Sequence, residues 1–128
     1  MNILLDTHIA LWAVTDSPRL PDQAKAQIAN PKNHIWISTV SLWEIAIKHS
    51  LGKGDMPINA KQALHYFQLS GYQILAIEAE HTLAIADLAN HHQDPFDRLL
   101  IAQAITEPMR LMTHDSNIIK YGDMVIAV

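Results

Sequence analysis

The stretch Asp94-Pro95-Phe96-Asp97-Arg98-Leu99-Leu100-Ile101-Ala102-Gln103-Ala104-Ile105-Thr106-Glu107-Pro108-Met109-Arg110-Leu111-Met112-Thr113 reads as a helix followed closely by a strand. Asp94 is a strong N-cap, and Pro95 stands at the first helical position, where its missing N–H costs nothing. The spacing predicts a helix over Pro95–Thr106. Arg110–Thr113 is short and apolar and predicts a strand.

Working outward, the same alternation repeats. Towards the N-terminus, Glu78–Asn90 is alanine-rich and predicts a helix, preceded by a strand at Tyr72–Ile77. Before these come helices at Asn59–Leu69 and Val40–Leu51, a β-rich strand at His34–Ile37 and a helix at Pro21–Ala29. The chain opens with an apolar strand, Asn2–Leu5, and a short helix, His8–Val14. Towards the C-terminus, a short turn or helix near Ser116–Tyr121 leads to a last strand, Met124–Ile126. Strands that alternate with helices imply parallel pairing through right-handed crossovers. The expected fold class is therefore α/β, a three-layer α/β/α sandwich around a central, mostly parallel sheet of about five strands. In such open sheets, ligands bind beyond the carboxyl ends of the strands.

The chain has 128 residues, 49% of them apolar, which suits one globular domain spanning 1–128. With no cysteine, disulfides and thiolate metal sites are excluded. No apolar run approaches the roughly 20 residues that span a bilayer. The first residues meet an acid at once and lack a basic segment, so a signal peptide is not expected and a cytoplasmic location is. The net charge of −4 is unusual for a protein that handles nucleic acid. Clustered acids that hold divalent ions would reconcile the two, because the ions then meet the phosphate.

Four acids stand where that chemistry needs them. Asp6 follows the first strand and Asp115 follows the strand Arg110–Thr113, so both fall at carboxyl ends. Each also suits a cap on the helix or turn that follows. Glu44 shares a helix face with Val40, Ile47 and Leu51, which sets a carboxylate on or beside an apolar stripe. A buried ionised carboxylate requires a partner or a metal. Its competing readings are a Ser41-x-x-Glu44 capping box, although the helix is expected to begin before Ser41, and an ion pair with Lys48. Asp97 lies at the third helical position, where an acid suits the helix dipole, yet it shares a face with Leu100, Ile101 and Ala104. Asp94 is first a cap and only second a metal candidate. Crowded carboxylates raise one another's pKa and call for a cation, and all-oxygen donors select Mg2+ or Mn2+ over zinc. A zinc site at His91-His92-x-Asp94 is the weaker alternative, since adjacent histidines point apart. His8 and His114 adjoin the proposed ligands and are read first as surface or capping groups and second as substrate contacts; Trp12, Trp36 and Trp43 are read as core or interface before base-stacking platforms.

Four stretches together carry a family likeness: Leu4-Leu5-Asp6-Thr7-His8, Ser41-Leu42-Trp43-Glu44-Ile45, Asp94-Pro95-Phe96-Asp97-Arg98-Leu99-Leu100-Ile101-Ala102-Gln103-Ala104, and Thr113-His114-Asp115. In that order the chain resembles the PIN-domain ribonucleases, specifically the VapC-like toxins of type II toxin–antitoxin pairs. The resemblance implies that Asp6, Glu44, Asp97 and Asp115 form a catalytic quartet that binds Mg2+ or Mn2+. Thr7 and Thr113 would lie next to it. It also implies an RNA substrate, a cognate antitoxin and a homodimer. Many relatives carry Asn where this chain has Asp115.

The expected activity is metal-assisted hydrolysis of RNA phosphodiesters by an endoribonuclease. Lys48 and Arg98 are candidate phosphate contacts, an ion pair with a nearby acid being the other reading for each. The region Gly52-Lys53-Gly54 is a candidate for substrate choice. The alternative function is an RNA-binding or protein-interaction module that keeps the acidic pocket without significant turnover.

Overall fold

A computed structural model describes all residues, 1–128. The elements run β1 (Asn2–Leu5), α1 (Thr7–Val14), α2 (Asp22–Ala29), β2 (His34–Ser38), α3 (Thr39–Ser50), α4 (Ala60–Leu69), β3 (Gln73–Leu75), α5 (Ala79–Ala84), α6 (Pro95–Thr106), β4 (Arg110–Thr113), α7 (Ser116–Ile119) and β5 (Val125–Ala127). The five strands form one sheet in the order β3-β2-β1-β4-β5, and every neighbouring pair is parallel. The chain therefore starts in the middle, builds β2 and β3 on one side, then returns to build β4 and β5 on the other. The order reverses between β1 and β4, and that reversal opens a crevice beyond their carboxyl ends.

The sheet is covered on both faces, as its apolar strands require. Side chains alternate along β1: Ile3 and Leu5 enter a cluster with Ile9, Leu11, Ile37 and Phe67, while Leu4 enters another with Leu100, Ile101 and Leu111. α1, α2 and α4 cover the first face, and α6 and α7 the second. Leu4 is wholly buried, so Leu4→Ala would leave a cavity and cost roughly 2–5 kcal/mol. No helix is long and apolar enough to cross a membrane.

Four local expectations are corrected. The N-cap of α3 is Ser38, whose side chain accepts from the Val40 amide, so the Ser41–Glu44 capping box does not form. Of the stripe expected around Glu44, only Val40 is buried; Ile47 and Leu51 are exposed, because the last turn of α3 leaves the core. The helix expected over Glu78–Asn90 is only Ala79–Ala84 followed by a 3-10 turn at Ile85–Asp87, after which residues 88–94 form an irregular loop. The expected strand over Tyr72–Ile77 is paired only from Gln73 to Leu75, at the sheet edge.

Candidate metal centre

The crevice is a cavity of about 570 Å3. Asp6, Glu44, Asp97 and Asp115 all line it, although they are far apart in sequence. β1 delivers Asp6 and β4 delivers Asp115; α3 supplies Glu44 and α6 supplies Asp97. The Asp6 amide continues the β1–β4 ladder by donating to the Met112 carbonyl at 3.0 Å, which fixes where the Asp6 side chain starts.

Capping and site roles are not alternatives here. Asp6 caps α1 with Oδ1, which accepts from the His8 amide at 2.9 Å, while Oδ2 accepts from the Thr113 hydroxyl at 2.5 Å. Asp115 caps α7 through Oδ1, which accepts from the Asn117 amide at 2.8 Å; its Oδ2 turns towards His92, 3.8 Å away. For α6 the cap is Asp94, whose Oδ1 accepts from the Asp97 amide at 2.9 Å. Asp97 is thereby relieved of capping, and its Oδ2 accepts from His92 Nε2 at 2.7 Å.

Glu44 is buried, and the chain satisfies it. Thr7 Oγ1 donates to Glu44 Oε1 at 2.7 Å, and Lys48 Nζ pairs with Oε2 at 2.5 Å. Having spent its one hydrogen on Glu44, Thr7 must accept from Ser41, 2.8 Å away. Lys48 also sits over the Phe96 ring, 5.6 Å from its centre. No buried side-chain nitrogen or oxygen in the chain lacks a hydrogen-bond partner.

The electrostatics follow from burial first and from crowding second. Burial pushes the Asp6 carboxyl above the ordinary range, offset in part by the bonds from Thr113 and the His8 amide. Burial also pushes Asp97 up to about 7; the bond from His92 opposes this, and the charges of Asp94, Asp6 and Glu44 add to it. For Lys48, burial works against the ammonium, but Glu44, Asp94 and Asp97 outweigh it and hold its pKa above the usual value. Six acids and two bases line the cavity, an excess of four negative charges that equals the net charge of the whole chain. The acidity is thus concentrated at the site.

This donor set fits a divalent cation. The tightest group is His92, Asp97 and Asp115, whose ligand atoms lie within 4.8 Å of one another. Asp6 and Glu44 stand outside that group, each held by the contacts described. A cation would relieve the repulsion that raises Asp97.

The remaining candidates separate. Thr7 lines the cavity, whereas Thr113 acts from beneath it, on Asp6 and on the Asp115 amide, which it accepts at 3.0 Å. Lys48 and Asp94 line it. Arg98 does not. Its guanidinium turns away, donating to the carbonyls of Ile85, Ala89 and His92 and to Tyr121 Oη. In this arrangement Arg98 clamps the loop before α6, away from the cavity lining.

Arg19 and Asp55, which nothing in the sequence singles out, line the cavity, and so do His92, His8, Trp12 and His114, whose first reading from the sequence lay elsewhere. His8 and Trp12 are four apart on a helix and share a face, which is a usable signal. The Trp12 ring lies 6.0 Å from His8 and 6.4 Å from His114, making an aromatic wall. The Arg19–Asp55 ion pair at the rim has no counterpart in sequence spacing.

Fold and site together define an acid-centred α/β domain. The PIN domain family model matches residues 3–124, so the chain belongs to the PIN domain family. No curated protein matches it. Among solved structures, it is similar to VapBC2 from Rickettsia felis bound to a DNA fragment from its promoter, with 21% identity, a TM-score of 0.67 and coverage of 100% of this chain and 98% of that one. VapBC-1 from nontypeable Haemophilus influenzae gives 19% identity, 0.64, 94% and 92%. DNA-bound VapBC from Salmonella typhimurium gives 15%, 0.66, 100% and 97%.

Proposed function

We propose that this protein is a divalent-metal-dependent endoribonuclease and the toxin of a type II toxin–antitoxin pair. The observation that carries the reading is the convergence of Asp6, Glu44, Asp97 and Asp115 on one cavity at the carboxyl edge of a PIN fold. The solved structures it resembles in fold include VapBC proteins from three bacteria, which supports the toxin–antitoxin reading. An antitoxin partner and a homodimer are part of the proposal, and exposed Trp43 and Ile47 on α3, with Leu51 just after it, offer apolar area for such contacts. A single PIN domain over 1–128, working in the cytoplasm, completes it.

Asp97 and Asp115 would hold Mg2+ or Mn2+, with Asp6 and Glu44 at the flanks. A bound ion supplies two things: activation of water near neutral pH and charge for the phosphate to meet. The chain does the rest. Thr113 and Thr7 hold the Asp6 and Glu44 carboxylates in place. Lys48 neutralises Glu44 and stands where a phosphate would enter. The wall of His8, Trp12 and His114 suits an unpaired base, which favours single-stranded RNA or loops over duplex.

The test is cleavage of single-stranded and hairpin RNA with Mg2+ or Mn2+, with and without chelator. Cleavage that stops with chelator, and that leaves 5′-phosphate and 3′-hydroxyl ends, supports the reading. Cleavage that persists in chelator overturns it. Binding without cleavage in any ion would instead make the chain an RNA-binding or protein-interaction module.

A further inference from the structure

The four acids are not the tightest cluster in the cavity. That cluster contains a nitrogen: His92 Nε2 lies 2.7 Å from Asp97 Oδ2 and 3.8 Å from Asp115 Oδ2. Adjacent ligands around an octahedral ion lie about 3 Å apart at ordinary bond lengths. The two distances bracket that spacing. Three histidines line the cavity, and only this one faces the acids. His8 Nε2 is bonded to the Gly54 carbonyl at 3.0 Å, and His114 Nδ1 to the Val128 carbonyl at 2.5 Å.

The loop that carries His92 belongs to no helix or strand, yet its backbone is fixed. Tyr121 Oη accepts from the amides of His91 and His92 at 3.2 and 3.1 Å and donates to the Ala89 carbonyl at 2.7 Å. Arg98 donates to the His92 carbonyl at 3.0 Å and to those of Ala89 and Ile85. Two long side chains thus lock the peptide on either side of one imidazole. A histidine that merely covered the surface would not require this.

We propose that His92 is a metal ligand, so that the ion is held by a mixed nitrogen and oxygen set of His92, Asp97 and Asp115 and the site prefers Mn2+ to Mg2+. The inference rests on the reading of the cavity as a divalent-metal site. In the ion-free chain Nε2 donates to Asp97; to ligate an ion His92 would give up that proton and keep its ring proton on Nδ1. Mg2+ favours oxygen and dehydrates reluctantly, so an imidazole nitrogen in the ligand set weighs against it. This sharpens the choice between the two ions that carboxylates alone leave open.

The experiment uses the full chain without RNA. Mn2+ and Mg2+ affinities are measured by calorimetry for the wild type and His92→Ala, and Mn2+-loaded samples are examined by pulsed EPR for nitrogen coupling. The expected result is a directly bound nitrogen in the wild type, lost in His92→Ala, with the Mn2+/Mg2+ affinity ratio falling about tenfold. Absence of nitrogen coupling in Mn2+-loaded wild type would overturn the proposal, and that reading needs no variant to fold. An unchanged affinity ratio in folded His92→Ala would overturn it equally. If the wild type binds neither ion, the metal reading itself fails along with it. Ion binding without nitrogen refutes His92 alone.

Discussion

Thr113 Oγ1 lies 2.5 Å from Asp6 Oδ2, bridging the carboxyl ends of the two strands between which the sheet order reverses. The same hydroxyl accepts from the Asp115 amide at 3.0 Å. One buried side chain therefore sets two of the four acids. Thr113→Val keeps the shape and removes both bonds. It should destabilise the ion-free protein by roughly 1–3 kcal/mol, the cost of leaving buried polar groups unpaired. Denaturant unfolding in chelator reads this directly. A change under about 0.5 kcal/mol would mean that Asp6 does not depend on Thr113.

Asp97 makes stability depend on pH in an unusual direction. Its folded pKa of about 7 lies above the ordinary 3.8, so between those values the folded state binds more protons than the unfolded chain. In chelator, this group's contribution to stability is present at low pH and is lost as pH rises from about 4 through 7. The full shift bounds the effect at roughly 4 kcal/mol; partial exposure brings it to on the order of 1–2 kcal/mol, a few degrees in Tm. Asp97→Asn should therefore raise Tm in chelator at pH 8 and leave it nearly unchanged at pH 4. Excess Mn2+ should stabilise the wild type most at pH 8, where the carboxylate is free to bind it. A variant with the same Tm difference at both pH values would contradict the assignment.

Arg98 and Lys48 carry the same charge and should behave oppositely. Arg98→Ala should cost roughly 1–3 kcal/mol of stability, because the His92 carbonyl loses its donor and those of Ile85 and Ala89 each lose one of two. The salt dependence of RNA binding should be unchanged, since no phosphate contact is lost. Lys48→Met should reduce the salt slope by about one contact. Binding isotherms at several salt concentrations distinguish the two, and a reduced slope for Arg98→Ala would restore it as a phosphate contact.

Trp12 tests the aromatic wall. Trp12→Ala should lower kcat/KM on single-stranded RNA by about tenfold or more, within the roughly 1–3 kcal/mol typical of base stacking, while Trp12→Phe keeps most of it. Circular dichroism must accompany the assay, because Trp12 also packs against the core. Equal activity of a folded Trp12→Ala would remove the base from this wall.

The sequence makes the frame legible where local signals agree with tertiary packing. The Asp94 cap and Pro95 place α6 at the expected residues, and Arg110–Thr113 pairs as predicted. The five strands and their parallel sense follow from alternation alone. What was illegible depends on contacts distant in sequence. Glu78–Asn90 has good helical composition, yet Arg98 and Tyr121 hold the carbonyls of Ile85 and Ala89 in a loop instead. That loop carries His92, so its neighbourhood with Asp97 and Asp115 was hidden too. For Asp6 and Asp115, capping and lining the cavity looked like rival roles. They are compatible: Asp115 caps with one oxygen and turns the other towards His92, and Asp6, whose two oxygens accept from the His8 amide and from Thr113, still lines the cavity.

The central claim is that Asp6, Glu44, Asp97 and Asp115 surround one divalent ion. Crystals grown with Mn2+ and measured for anomalous scattering test it most directly. A peak is expected inside the cavity in contact with Asp97 and Asp115, with Asp6 or Glu44 at its edge, and it should be lost in Asp97→Asn. A protein that cleaves RNA in the same Mn2+ buffer, with its only ion elsewhere or an empty cavity, would contradict it.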